Sequence, residues 1–226
     1  MGLETVEAIR ARLRPDDALL VLVAAFTGMR WGEICGMRRS FLTLHPATGE
    51  QPAHGHYTVD PVLGAVHETV GARRYYGPPK TVLKDGKGRE IDLPPFLVEL
   101  LIDFVEAMGE RDLLFPNRKG EPRRHTDWLR VWRRACDGWH GRIDQRTGQH
   151  TPGAEPVCET LRFHDLRHSH KTMMVALGTE EPLQDYRLGH TPRGVQGVYS
   201  HPTTEMRTKL VEGLEHHWRG FHEQPA

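Results

Sequence analysis

The chain of 226 residues has no apolar run long enough to cross a bilayer. Its most apolar stretch, Leu19 to Phe26, falls far short of the roughly 20 residues a spanning helix needs. Nothing at the start reads as a secretion leader. Membrane and export classes are thereby set aside, and the expected compartment is the cytoplasm, with no membrane partner. Cysteine is scarce as well. Cys35, Cys136 and Cys158 are odd in number, widely spaced and free of any C-x-x-C pair, so they read as reduced structural thiols. No repeat of solenoid length is visible. A surplus of either charge is also missing, since 30 Lys and Arg balance 30 Asp and Glu. Proteins that grip nucleic-acid phosphates usually carry excess cations. The only basic stretch is 111–146, with ten Lys and Arg against five Asp and Glu. It reads equally as a basic surface or as a solvated charged helix.

What is present suits one globular domain, 38% hydrophobic and 27% charged. The pattern predicts a mainly helical α+β fold with one small antiparallel sheet. Asp16 and Asp17 open a buried helix over Ala18–Phe26, which Gly28 breaks, leaving Arg30 in a turn. A short helix covers Trp31–Met37, with brief strands at Ser40–Leu44 and Val66–Val70. Between them, 45–65 reads as a surface insertion rich in Gly, Pro and His. Pro78 to Leu93 reads as a β-hairpin around a Gly-rich turn. Helices are expected over Pro94–Met108, His125–Cys136, 164–177, 180–189, 192–199 and Thr204–Phe221, with a loop at 138–158.

Six polar side chains stand out by their order: Arg30, Lys80, His164, Arg167, His190 and Tyr199. Each alone has an ordinary reading. Arg30 is a helix-end arginine, Lys80 a solvated lysine (with Lys84 and Lys87 as neighbours able to take the same role), His190 a helix cap and Tyr199 a half-buried core ring. Glu33, one turn after Arg30, is a cap or a surface acid. His164 and Arg167, three residues apart, share a helix face and could meet one anion. His164, His168 and His170 also suggest a metal site, though the H-E-x-x-H pattern is absent. Together, the arginines offer planar forks for two phosphate oxygens, and a tyrosine can act as a covalent nucleophile.

The ordered set resembles the catalytic domain of the tyrosine recombinases, the phage-integrase family. The matching pieces are T-G-M-R-W-G-E-I at 27–34, P-K-T and R-E-I-D-L-P within 79–94, L-L-F-P at 113–116, F-H-D-L-R-H at 163–168, L-G-H at 188–190 and Y-S-H-P at 199–202. They span the chain from about residue 16 to 205. The resemblance implies a site-specific enzyme that breaks and rejoins double-stranded DNA through a 3′-phosphotyrosyl bond, with neither metal, cofactor nor ATP. It implies that Arg30 and Arg167 clamp the scissile phosphate and that Lys80 protonates the leaving 5′ oxygen. His164 serves as base for Tyr199, His190 donates to a non-bridging oxygen, and Glu33 supports the site from behind. Residues 1–226 are expected to form a single catalytic domain without the core-binding and arm-binding domains that precede it in the family. A homotetramer on DNA and a monomer in its absence are expected, with the helix in 204–226 open to exchange between protomers. The competing readings are a DNA-binding regulator or inactive remnant of integrase origin, a type IB topoisomerase-like enzyme and a His-rich metal-binding domain. Tyr186 is the next candidate nucleophile, although its helical position suits a core residue better.

Overall fold

The computed structural model describes residues 1–69, 71, 73–82, 86–143, 145–190 and 202–223. Eight α-helices and seven short strands occur among them. The centre is α2 (Pro15–Thr27), where every residue from Leu19 to Thr27 is buried. A helix apolar on all sides must be surrounded, and here neighbours cover it from several directions. Pro15 starts it at the position where a missing N–H costs nothing, and Gly28 ends it in the left-handed conformation, φ 64°. Helix α1 (Leu3–Arg10) lays Leu3, Val6 and Ile9 on α2. No helix was expected before Pro15, although the i, i+3, i+6 spacing of these three residues marks one.

Helix α4 (Pro95–Met108) packs Phe96 edge-on to Phe26 at 4.8 Å. In α5 (His125–Asp137), Trp128 and Trp132 are buried. They meet Phe163, which sits edge-on to Trp31, Trp128 and Trp132 at 5.3–5.4 Å. Trp31 belongs to α3 (Trp31–Cys35) and stacks on Trp128. The last helices are α6 (Asp165–Ala176), α7 (Glu181–Leu188) and α8 (Thr204–His222).

The strands correct two expectations. Residues 45–65 do not form a surface insertion alone. They contain β2 (His54–Val59), the central strand between β1 (Leu42–His45) and β5 (Arg89–Leu93). Tyr57 and Val59, two apart, point to the core and are buried. The hairpin expected over 78–93 does not form either. Pro78 and Pro79 have no N–H to give to a ladder, and β5 pairs with β2, Ile91 opposite Tyr57. The hairpin is one element earlier, β3 (Ala65–Glu68) with β4 (Arg74–Gly77). The 138–158 loop carries one two-residue pair, β6 (Arg142–Ile143) with β7 (His150–Thr151). The helix expected over 192–199 lies outside the described residues.

In this structure α8 lies on the chain's own core. Leu210 and Leu214 are buried, Trp218 stacks flat on Phe96 at 4.2 Å, and Glu215 accepts from the backbone N–H of Phe96 at 2.8 Å. Arg207 forks onto Asp92 at 2.6 and 2.7 Å, and reaches Glu90 at 3.0 Å. Among the described residues no helix is long and apolar enough to cross a membrane. All three cysteines are free thiols, and burial pushes Cys136 up to about 12.

Candidate active site

The site forms where α2 ends. A Cβ on Gly28 would lie 2.7 Å from Leu188 and 2.8 Å from the His170 ring, so only glycine fits this left-handed residue. Two residues on, Arg30 is extended and caps α3. Its backbone N–H donates to Glu33 Oε2 at 2.9 Å. Its guanidinium donates to the carbonyls of Leu188 (3.2 Å) and Gly189 (3.0 Å). Arg167, one turn into α6, is only 6% exposed. It donates to Gly28 O and to Leu188 O, both at 2.6 Å. The carbonyl of Leu188 therefore receives both guanidiniums, and the two arginines converge from opposite ends of the sequence.

His190 completes this cluster. Its Nε2 accepts from Arg167 at 2.9 Å, which leaves the proton on Nδ1, facing Asp185 Oδ1 at 3.3 Å. Burial, then the charge of Arg167, lowers the His190 pKa against the opposing pull of Asp185. His164 stands at the start of α6 with its ring edge-on to His168 at 5.1 Å. Burial lowers its pKa too, followed by the charges of Arg167, His168 and Arg30. Both rings are thus biased to the neutral form, the form able to accept a proton.

Glu33 is 1% exposed and binds a second arginine, Arg89, at 2.9 Å. Arg89 is 3% exposed, and its Nε and Nη1 have no hydrogen-bond partner. Three guanidiniums, those of Arg30, Arg89 and Arg167, thus gather around one carboxylate. The crowding registers on Arg167, pushed down to about 10 by burial and by the charge of Arg30. A cavity of about 450 Å³ opens here, bordered by Arg30, Lys80, Lys171 and His190 and by the carboxylates of Glu181 and Asp185. The excess of guanidinium charge over Glu33 in the wall of this cavity is a setting for an anion.

Arg167 and His190 are therefore in direct contact, and Arg30 joins them through the shared carbonyl of Leu188. Lys80 is exposed on the rim of the cavity, His164 is close enough to feel both arginines, and Glu33 lies behind Arg30. Lys87 is exposed, and Lys84 lies outside the described residues, as does Tyr199. The hydroxyl of Tyr186 accepts from the backbone N–H of Glu90 at 3.1 Å. Among the described residues, no three His, Cys, Asp or Glu side chains gather as a metal site would require. His170 turns inward, away from the other two histidines of its segment, and receives a hydrogen bond from Arg187.

Arg89, Asp185 and Arg187 were not among the expected site residues, and His170 was considered only as part of a metal site. For Arg89 a signal existed. In Arg89-Glu-Ile-Asp-Leu93 the strand alternation places Arg89, Ile91 and Leu93 on one face, and all three are buried. Nothing in the local sequence marks Arg187, whose neighbours come from α2, α6 and β5.

No family model matches the chain. A curated relative, "Putative prophage phiRv2 integrase" of Mycobacterium tuberculosis (strain CDC 1551 / Oshkosh), is 29% identical over 225 residues, covering 94% of this chain and 52% of the relative. The chain spans about half the length of the curated relatives it matches. Among solved structures, the Tn1549 transposon integrase in complex with circular intermediate DNA aligns with a TM-score of 0.57 at 17% identity, covering 93% of this chain and 64% of that one. The XerH site-specific recombinase bound to difH aligns at 0.51 and 21%, over 91% of this chain and 51% of that one. The XerA recombinase aligns at 0.53 and 14%, over 100% and 64%. With its small antiparallel sheets and its helices about α2, the chain has the fold of a tyrosine recombinase catalytic domain.

Proposed function

We propose that this chain is the catalytic part of a site-specific DNA recombinase of the integrase type, cutting and rejoining duplex DNA without metal or ATP. The observation that carries this reading is the carbonyl of Leu188 shared by Arg30 and Arg167, with His190 in the same cluster. Two forks held this way can grip the non-bridging oxygens of one phosphate and stabilise the charge that builds during attack. Tyr199 supplies the nucleophile. Its Oη–P bond forms as the P–O5′ bond breaks, His164 takes the phenolic proton, and Lys80 gives a proton to the departing 5′ oxygen. The linkage energy stays in the phosphotyrosyl ester, so a 5′ hydroxyl from another strand reverses the step and exchanges strands. Double-stranded DNA is the partner, and a tetramer on DNA is the working assembly. With zero net charge, binding by this chain is weak and falls steeply with salt.

The test is a pool of nicked duplexes of randomised sequence, mixed with the chain at low salt. A nick beside the cleavage point lets the short 5′-hydroxyl fragment diffuse away and traps the adduct. The wild type is expected to give a covalent band that survives boiling in detergent and vanishes on proteolysis, and Tyr199→Phe to give none. DNA binding without any adduct would favour a non-catalytic DNA-binding remnant, and an adduct from the Phe variant would move the nucleophile to another residue, Tyr186 first.

A further inference from the structure

We infer that Arg187 and its partner His170 are positioning residues for the two-arginine clamp. The inference rests on the reading of that clamp as the phosphate-binding centre.

Arg187 is 2% exposed and, among the described residues, makes no ion pair with a carboxylate. Each of its nitrogens instead has a neutral acceptor. Nε donates to His170 Nε2 at 3.0 Å, Nη1 to the carbonyl of Asp92 at 2.9 Å and Nη2 to the carbonyl of Phe26 at 2.8 Å. A guanidinium buried with no carboxylate in direct contact, only the charge of Asp92 nearby, is costly, and an aliphatic side chain of similar volume is often no worse for stability. What the guanidinium supplies and an aliphatic chain does not is geometry. It ties α7 to the end of α2, to α6 and to β5 at one point.

Those ties bear on the atoms that hold the clamp. Leu188 and Gly189, whose carbonyls receive Arg30 and Arg167, directly follow Arg187. Gly28, whose carbonyl receives the other end of Arg167, is two residues past Phe26. His170 donates from Nδ1 to Ala25 O at 3.0 Å, leaving Nε2 to accept from Arg187, and its ring abuts Gly28. Asp92 belongs to β5, the strand that delivers Arg89 to Glu33. Arg187 and His170 touch none of the atoms that would meet a phosphate; they fix the three carbonyls against which the clamp is set.

The test compares Arg187→Met, Arg187→Lys, His170→Phe and the double variant His170→Phe/Arg187→Met with the wild-type chain. It reads melting temperature, duplex affinity, the rate of adduct formation on nicked duplex, and a crystal structure of Arg187→Met. Arg187→Met is expected to stay folded and to bind duplex within a few-fold of the wild type, while adduct formation drops about 100-fold, the scale of an ångström-sized misplacement. Arg187→Lys recovers part of that rate. The double variant is no slower than the worse single one, because the two side chains act as a unit. In the crystal, Arg167 leaves the carbonyl of Leu188. An unchanged rate, losses that only track the folded fraction, additive losses, or a clamp superposing on the wild type would each overturn the inference. If the wild type itself forms no adduct, the proposed activity fails on its own, and the variant crystal structure still decides whether the clamp depends on Arg187.

Discussion

The two ends of α2 hold their arginines in different ways. At the N-terminal end Arg123 pairs with the carboxylate of Asp17, itself 7% exposed, and donates to Phe115 O at 3.1 Å. At the C-terminal end the carbonyls of Ala25, Phe26 and Gly28 accept from His170, Arg187 and Arg167. Both arrangements satisfy donors and both suit the helix dipole, acids at the start and cations at the finish. They differ in what remains. A carboxylate cancels the charge of its arginine, whereas a carbonyl orients an arginine and leaves its charge available. The first arrangement serves stability. On the proposed reading the second serves an anion, since Glu33, shared between Arg30 and Arg89, offsets only part of the charge.

Removing one arginine at each end breaks the comparison most directly. Arg167→Ala is expected to slow adduct formation by about 100- to 1,000-fold, the loss typical of one preorganised charge-stabilising donor. It should lower stability by only about 1–3 kcal/mol, since Gly28 O and Leu188 O each lose a donor. Arg123→Ala is expected to do the reverse. It strands Asp17 and costs at most about 3 kcal/mol of stability, while the adduct rate per folded molecule stays as it was. Chemical denaturation and single-turnover trapping, run on both variants, separate the two outcomes. If both variants lose rate and stability in the same proportion, the two ends of α2 do not differ in the way described.

The sequence was legible where function depends on local pattern and opaque where it depends on assembly. The buried run of α2 and its termination at Gly28 follow from apolar spacing and one glycine, whereas Arg30, expected in a turn, is extended and caps the next helix. Helices α4 to α7 are likewise legible from their apolar spacing. The sheet was misread because pairing is a long-range choice. The alternation of Tyr57 and Val59 was hidden among His and Gly residues, and two prolines were assigned to a ladder they cannot join. In the site, motif order singled out the two arginines that the structure brings together, but not the atoms that orient them. Leu188 O and Gly28 O are backbone atoms with no sequence signature, and Arg187 gains its role from residues 17, 95 and 161 positions away.

A smaller effect sharpens the picture at Gly189. This residue has φ 61°, and a Cβ there would lie 2.1 Å from Arg89 Nη1. Gly189→Ala is expected to cost about 1–2 kcal/mol from the left-handed backbone alone. The methyl also displaces Arg89, and with it Glu33 and Arg30, so the adduct rate falls as well. Gly178 offers the control, since it too has a positive φ, 68°, but open space around its Cβ position. Gly178→Ala should show the backbone cost without the loss of rate. Equal rate losses in the two variants would mean that the contact with Arg89 is irrelevant to the clamp.

The carbonyl-held end of α2 also carries a pH signature. His170 is fully buried between Ala25 O and Arg187, and burial, then the charge of Arg187, holds its pKa well below the ordinary 6.5. The folded state therefore binds this proton less readily than the unfolded chain. Stability is fully present above about pH 6.5 and declines as the pH falls from there toward the folded pKa. Protonation would remove the lone pair that Arg187 Nε uses and set a second cation beside it, with Arg167 also near. One such group is worth ~1 kcal/mol between about pH 6.5 and 5.5. In His170→Gln the amide can still donate to Ala25 O and accept from Arg187 but cannot titrate, so its stability profile should be flatter in that window. His164 and His190, whose pKa values are also lowered, remain in both proteins and cancel from the difference. Denaturation midpoints measured across this window decide the matter, since parallel profiles would show that His170 takes up no proton penalty and that the neutral acceptor of Arg187 is not what the acid range disturbs.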